Sequence, residues 1–175
     1  MSVVEDEGRD LLRLHDEDVA PLVSLLEKRT FGEPALIERT ALALVRQGRV
    51  NGVDPRLLAA VLLVENPWLD PKARSPVGAV GLMQVMPFHA GQWGCAGDDL
   101  EHPETNICHG AKILAFQLRR TRDLHTALLR YNGCVHGTNT SDCHQYPSWV
   151  YLRAGSQWMA EIHTNLWQVL EEPLG

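Results

Sequence analysis

The sequence of 175 residues lacks the features that mark several classes of partner. Its net charge of −6 offers no basic surface for nucleic acid or anionic lipid. None of its apolar runs approaches the roughly 20 residues that span a bilayer. Its eight histidines form no HExxH motif, and its glycines form no phosphate-binding loop. We therefore expect no nucleic-acid partner, no transmembrane segment, no bound metal and no cofactor.

The four cysteines form no CxxC pair, which disfavours zinc and redox sites. An even number of cysteines in a small chain favours disulfides, and four cysteines allow three pairings. We favour Cys95–Cys108 and Cys134–Cys143, because each pair brackets a polar, turn-rich loop. Free buried thiols are the alternative. Disulfides would place the protein in an oxidising compartment, such as the periplasm or the cell exterior. The first ten residues, MSVVEDEGRD, are acidic and polar, so we expect no signal peptide in this chain.

Composition and periodicity predict a single, mainly α domain. Apolar residues make up 45% of the chain and charged residues 22%, as in globular proteins of this size. Besides the central helix discussed next, apolar residues recur at helical spacing in several segments: 10–29, 33–46, 103–120, 124–131 and 147–170. We expect a short helix over 86–93 as well.

Two regions carry more specific expectations. Prolines and glycines interrupt the helical period in residues 68–85, which predicts a short irregular or β-like segment. In the C-terminal helical region, the large apolar residues are expected to enter the core: Trp149, Leu152, Trp158, Ile162 and Leu166.

A carboxylate at the end of an apolar run is the strongest chemical signal in the sequence. Asp54-Pro55 is a typical helix start, and residues 57–64 are all apolar, which indicates a helix buried on every side. Glu65 ends this run, and Asn66-Pro67 breaks the helix. Burial against hydrocarbon would raise the pKa of Glu65 and make it a general acid near neutral pH. The alternative is that Glu65 merely ends the helix and points into water.

Four segments together resemble the soluble lytic transglycosylase family of the lysozyme-like superfamily. They are residues 65–75, GAVGLMQVMP, PETNICHGAKIL and ALLRYNGC, and the resemblance covers residues 52–152. It implies a lysozyme-like fold, with residues 51–175 as the catalytic core and residues 1–50 as a helical segment packed on the same domain. It also implies cleavage of the bond between N-acetylmuramic acid and N-acetylglucosamine in peptidoglycan, without water, leaving 1,6-anhydro ends.

The resemblance also assigns roles to single residues. It makes Glu65 the acid and then the base, with the muramoyl N-acetyl group supplying the second catalytic function. Ser75 matches a serine near the acid and the N-acetyl group, whereas Gln84 and Met86 match residues that line the sugar subsites. The expected partners are peptidoglycan glycan strands and, in the cell envelope, a protein complex.

Two further residues come from the YN pair of ALLRYNGC. Tyr131 matches a tyrosine that faces the acid, where its hydroxyl would orient the carboxyl and its ring would carry a sugar face. Asn132 would hold the adjacent loop. The chain departs from the usual pattern at Asn66, where most relatives have serine in a loop about one residue shorter, and at Arg130, where alanine is common.

Two other functions remain open from the residues alone. A muramidase on the same scaffold would use water and a second carboxylate as base. Its candidates are Asp70 and the acidic loop of Asp98, Asp99, Glu101 and Glu104. A peptidoglycan-binding module without activity is the third possibility, and Asn66 is the only hint of it. One apolar-flanked acid without an evident partner favours the transglycosylase.

Overall fold

The computed structural model describes residues 13, 15–135 and 140–171 and consists mainly of helices. A π-helical turn at His15–Val19 leads into the first α-helix. The seven α-helices of the described residues are α1 (Ala20–Arg29), α2 (Pro34–Asn51), α3 (Pro55–Glu65), α4 (Pro103–Thr121), α5 (Leu124–Asn132), α6 (Tyr146–Ala154) and α7 (Ser156–Glu171). Two 3₁₀ turns, Pro87–His89 and Cys143–Gln145, complete the helical elements. The prediction of a mainly α fold is confirmed.

Proline and aspartate set the starts of the helices around the centre of the molecule. Proline occupies the first turn of α2, α3 and α4, where its missing N–H removes no helical hydrogen bond. Asp54 caps α3 by accepting from the backbone N–H of Arg56 at 2.9 Å. Asp123 caps α5 by accepting from the N–H of Thr126 at 2.8 Å. These caps match the helix starts predicted from the sequence.

Helix α3 lies at the centre of the fold, and every residue from 57 to 63 is buried. Helices α1, α2, α6 and α7 all contact it, so hydrocarbon surrounds it as the apolar run predicted. Its N-terminal end is also tied to α7, because Asn165 donates a hydrogen bond to Asp54 Oδ2 at 2.8 Å and Arg56 pairs with Glu161. The direction of α3, and hence the position of its last residue, Glu65, is therefore set from several sides.

The segment between α3 and the first 3₁₀ turn is irregular, as the prolines and glycines predicted. Its only regular pairing among the described residues is two isolated β-bridges, Arg74 with Val80 and Val80 with Val85. The side-chain amide of Asn106 joins this segment to α4. Its nitrogen donates to the Val80 carbonyl at 2.7 Å, and its oxygen accepts from the N–H of Met83 at 2.7 Å. Buried side-chain hydrogen bonds thus replace strand pairing here.

Two details differ from the sequence expectations. The helix expected over 86–93 is only the turn Pro87–His89, because the backbone leaves the helical region at Ala90, with ψ of 134°, and Gly91 then adopts a left-handed conformation with φ of 75°. Trp149 and Leu152 are exposed rather than in the core. Helix α6 ends at Ala154, before Gly155, and the face of this helix that enters the core carries Val150 and Ala154 rather than Trp149 and Leu152.

Both favoured disulfides are present, Cys95–Cys108 and Cys134–Cys143. The first joins the loop before α4 to the buried side of that helix, and the second joins the end of α5 to the start of the next helical turn. Residues 136–139 of the second loop, and the expected helix start at residue 10, lie outside the described residues. Within the described ranges, no helix is both long and apolar enough to cross a membrane.

Candidate active site

Glu65 stands at the last position of α3 and is partly buried. Burial disfavours its charged form and raises its pKa to about 7, although a hydrogen bond from Tyr146 acts in the opposite direction. At neutral pH the carboxyl group therefore exists in both protonated and ionised forms. Such a group can donate a proton and take one back within the same reaction.

Tyr146 is the hydrogen-bond partner of this carboxyl group. Its hydroxyl donates to Glu65 Oε1 at 2.6 Å, and the side chain is 1% exposed at the first residue of α6. Burial, followed by the negative charge of Glu65, raises the pKa of the Tyr146 hydroxyl well above its ordinary value. Tyr146 thus remains a neutral donor that holds one carboxyl oxygen and leaves the other available.

Sequence reasoning missed Tyr146 and gave its role to Tyr131. The hydroxyl of Tyr131 donates instead to the backbone carbonyl of Met83 at 2.9 Å, so it anchors the irregular segment to α5. Burial, followed by the negative charge of Glu65, raises the pKa of the Tyr131 hydroxyl well above its ordinary value. The hydroxyl expected to orient the carboxyl therefore comes from Tyr146, on a different helix.

Ser75 and Gln84 shape the irregular segment. Ser75 Oγ accepts from the N–H of Ala79 at 3.0 Å, closing a turn. Gln84 has a left-handed backbone with φ of 50°, and its side-chain amide donates to the carbonyls of Ala73 and Gly81 at 3.3 and 2.9 Å. Both residues lie in the irregular segment between α3 and the Pro87–His89 turn.

Met86 and Asn132 occupy the edges of this region. Met86 is half-buried and directly precedes the Pro87–His89 turn. Asn132 is exposed at the last position of α5, directly after Tyr131. The roles assigned to both residues stay predictions.

Asn66 is 3% exposed and holds the loop that follows the acid. Its amide nitrogen donates to the carbonyls of Asp70 and Gly81 at 2.7 and 3.1 Å, and its amide oxygen accepts from the N–H of Asp70 at 3.1 Å. The departure from serine thus supplies three hydrogen bonds inside the protein. A serine hydroxyl could not make all three, since it carries a single donor.

The other carboxylates considered as catalytic bases each have a hydrogen-bond partner elsewhere in the protein. Asp70 is exposed, and its carboxylate accepts from the N–H of Lys72 at 2.9 Å. In the acidic region, Asp98 and Asp99 accept from the backbone N–H groups of Gly91 and Glu101. Glu101 and Glu104 instead pair with the side chains of Arg74 and Arg39. Within the described part of the chain, no three His, Cys, Asp or Glu side chains are placed to hold a metal ion.

A mainly α domain whose buried central helix ends in a partly buried acid, followed by an irregular segment, defines the lysozyme-like class. The sequence model of the "Transglycosylase SLT domain" family matches residues 44–142, more than half of the chain. The chain belongs to this family, as the four sequence segments predicted.

Curated relatives agree with this assignment. The "Transglycosylase" of Enterobacteria phage PRD1 is 42% identical over 90 residues, which cover 51% of this chain and 32% of the phage protein. The "Endo-type membrane-bound lytic murein transglycosylase A" of Klebsiella pneumoniae subsp. pneumoniae is 37% identical over 79 residues, which cover 40% of this chain and 38% of that protein. The chain therefore spans about a third of the length of the relatives it matches.

Proposed function

We propose that the chain is a peptidoglycan lytic transglycosylase, cleaving the β-1,4 bond between N-acetylmuramic acid and N-acetylglucosamine without water. The observation that carries this proposal is Glu65, a single acid whose pKa is raised to about 7 by burial and whose one oxygen is held by Tyr146. The family membership and the names of the relatives support the substrate class.

In the first step, protonated Glu65 donates its proton to the oxygen of the glycosidic bond. The bond between that oxygen and C1 of the muramic acid then breaks, and N-acetylglucosamine leaves with the proton. Positive charge develops at C1, and the carbonyl oxygen of the muramoyl N-acetyl group stabilises it. Because the pKa of Glu65 is about 7, a large fraction of the enzyme carries this proton at neutral pH.

In the second step, the ionised Glu65 takes the proton from the C6 hydroxyl of the same sugar. The oxygen of that hydroxyl attacks C1 and closes the 1,6-anhydro ring, which returns Glu65 to its protonated form. Burial that raises the pKa of a carboxyl group also makes its ionised form a stronger base, so one environment serves both steps. The internal hydroxyl can outcompete water, because effective molarities of well-oriented groups reach about 10⁵ M or more.

The surroundings of Glu65 support a mechanism with one carboxylate. The causes of its pKa shift are burial and the Tyr146 hydroxyl, and no second carboxylate among the described residues contributes. A retaining or inverting hydrolase needs a second carboxyl group about 5–10 Å from the first. Asp70, the nearest candidate in sequence, is exposed and caps its own turn.

Product analysis of digested cell walls tests the proposal. Mass spectrometry of purified sacculi incubated with the protein should show 1,6-anhydromuramoyl ends, and Glu65→Gln should abolish them. Glu101→Gln is the matched control, because it changes an acidic-loop carboxylate and should leave the products unchanged. Reducing ends that disappear in Asp70→Asn or Glu101→Gln would instead identify a muramidase. Equal release by wild type and Glu65→Gln would mean that Glu65 is not the catalytic acid.

We further propose that the protein acts in the bacterial cell envelope, in the periplasm or outside the cell. The two disulfides support this location, because such bonds persist in oxidising compartments. In this proposal residues 51–175 form the catalytic core and residues 1–50 a helical segment packed on it. The contacts of α1 and α2 with α3 support that arrangement.

A further inference from the structure

Two exposed aromatic rings stack on each other beside the loop that follows Glu65. The ring centroids of Phe31 and Trp68 lie 4.9 Å apart with an interplanar angle of 24°. Phe31 is 77% exposed and Trp68 is 66% exposed, so both rings present large faces to solvent. Most large aromatic side chains bury such faces, and a preformed exposed pair indicates a surface for a ligand.

The packing of Leu69 fixes the backbone next to both aromatic residues. Leu69, the neighbour of Trp68, is buried and adopts a left-handed backbone with φ of 52°, which is unfavourable for a residue with a branched side chain. It fits closely against the segment that carries Phe31, since a Cβ on Gly32 would lie 2.4 Å from Leu69 Cδ2. Burying Leu69 in this conformation turns Trp68 outward, and Asn66 fixes the loop through its three hydrogen bonds.

The pair lies close to the proposed site of bond cleavage. Trp68 is three residues after Glu65, so consecutive Cα spacings of about 3.8 Å keep the two Cα atoms within roughly 11 Å. A glycan strand with one bond at Glu65 is longer than this separation. Sugar rings further along the strand can therefore reach the aromatic pair.

We propose that Phe31 and Trp68 form a stacking platform for the sugar rings of a peptidoglycan glycan strand, outside the positions that react. This inference rests on the proposed function for the identity of the ligand. Pyranose rings carry flat C–H faces that pack on aromatic rings, and a rigid pair binds them with little loss of side-chain entropy. A second copy of this chain is a poorer occupant, because two aromatic side chains bury about 500 Å² at most, below the roughly 1,000 Å² of a stable interface.

Binding to purified sacculi tests the platform separately from catalysis. All variants are made in the Glu65→Gln background, so that no wall is cleaved during the pelleting assay. Trp68→Ala and Trp68→Leu should each weaken binding about three- to tenfold, because the ring face is lost in both. Trp68→Phe should keep most of the affinity. Leu152→Ala is the control for the loss of an exposed apolar side chain, since Leu152 is 75% exposed on α6.

The outcomes separate the platform from its rivals. Unchanged binding by Trp68→Ala and Phe31→Ala, in variants with wild-type circular dichroism and melting temperature, would overturn the proposal. A self-association result would also overturn it. If the sedimentation mass of the wild type rises with concentration and Trp68→Ala stays monomeric, the rings bind a second copy of the chain. If the wall products fail to show anhydro ends but Trp68→Ala still loses binding, the reaction assignment fails and the platform stands.

Discussion

Glu65 is subject to two opposing influences, and their balance sets the proposed chemistry. Burial favours the neutral acid and raises the pKa, whereas the hydroxyl of Tyr146 stabilises the ionised form and lowers it. The resulting pKa of about 7 leaves the carboxyl group about half protonated at neutral pH. A shift in either influence moves the pH range over which the proposed enzyme works.

Tyr146→Phe should move the alkaline limb of the pH profile of kcat/KM to higher pH. In the proposed mechanism, activity requires protonated Glu65 and falls above its pKa, and removing the hydroxyl removes the bond that lowers this pKa. The rate near neutral pH should fall by about tenfold, because the carboxyl group is no longer held in place. Turbidity clearance of sacculi from pH 5 to 9 measures both effects.

Tyr131→Phe is the matched control for this experiment. It also removes a buried tyrosine hydroxyl, but one that donates to the Met83 carbonyl rather than to Glu65. Its alkaline limb should stay where the wild-type limb lies. A limb that moves in Tyr131→Phe and not in Tyr146→Phe would reverse the two assignments.

Glu65→Gln should stabilise the protein above neutral pH. The folded pKa of about 7 lies above the ordinary value of 4.5, so the native state binds the proton more tightly than the unfolded state does. The free energy of unfolding of the wild type therefore falls as pH rises from about 4.5 to about 7. At pH 8 the variant should be more stable by up to about 3 kcal/mol, and at pH 4 the difference should vanish. Urea unfolding at both pH values measures it.

In the same assay, Glu104→Gln should change the free energy of unfolding in the opposite direction. The bond from Arg39 holds the pKa of Glu104 below its ordinary value, so this carboxylate stabilises the fold at neutral pH and loses that effect as pH falls. Its substitution should destabilise the protein at pH 7 and not in strong acid. Equal pH dependence in both variants would contradict the environment assigned to Glu65.

At the scale of residues, the sequence predicted the raised pKa of Glu65 but not its hydrogen-bond partner, Tyr146. Eight consecutive apolar residues precede Glu65, and such a run indicates burial on every side of the helix. Burial in turn raises the pKa of a carboxyl group. Tyr146 lies 81 residues away from Glu65, in a stretch whose pattern does not distinguish a hydrogen-bonding tyrosine from a packed one. Only the packing of α6 on α3 brings the two side chains together.

At the scale of elements, the loop after α3 determines where both the acid and Trp68 lie. Asn66 stabilises this loop through hydrogen bonds to Asp70 and Gly81, which joins α3 to the irregular segment. Sequence patterns predicted α3 and the irregular segment, because prolines and glycines act locally. They overestimated the helix at 86–93, because the turn formed by Ala90 and Gly91 ends it after His89.

Asn66→Ala should lower the free energy of unfolding by about 2–4 kcal/mol. It removes three hydrogen bonds and leaves the N–H of Asp70 without its acceptor, whereas the Asp70 and Gly81 carbonyls keep their bonds from Ala73 and Gln84. Asn132→Ala is the control, since Asn132 is exposed and its substitution should change stability by no more than about 0.5 kcal/mol. Thermal unfolding of both variants provides the comparison. Equal melting temperatures would show that the loop does not depend on Asn66.

At the scale of the whole molecule, helices around α3 supply the core and disulfides tie down the loops at its edge. Cys95–Cys108 anchors to α4 the loop that contains Gly91, and Cys134–Cys143 closes the chain between α5 and α6. The pairing followed from the sequence because each pair is close along the chain. The packing of α6 against α3 did not, because it joins segments far apart in sequence.

Replacing Cys95 and Cys108 by alanine together should lower the free energy of unfolding by about 3 kcal/mol. The bond closes a loop with a sequence separation of 13, and a cross-link of this size restricts the unfolded chain by about that amount. Urea unfolding of the double variant, with and without reductant, measures the effect. Reductant should destabilise the wild type more than the variant. A variant as stable as the oxidised wild type would show that the cross-link adds nothing.

The position of Tyr146 has a practical consequence for defining the smallest active unit. The family match ends at residue 142, four residues before this tyrosine and before the whole of α6. A truncated protein cut at that boundary loses the only described donor to Glu65 and uncovers one side of the most apolar helix. Such a fragment would carry every residue of the recognised signature and still be inactive and prone to aggregation.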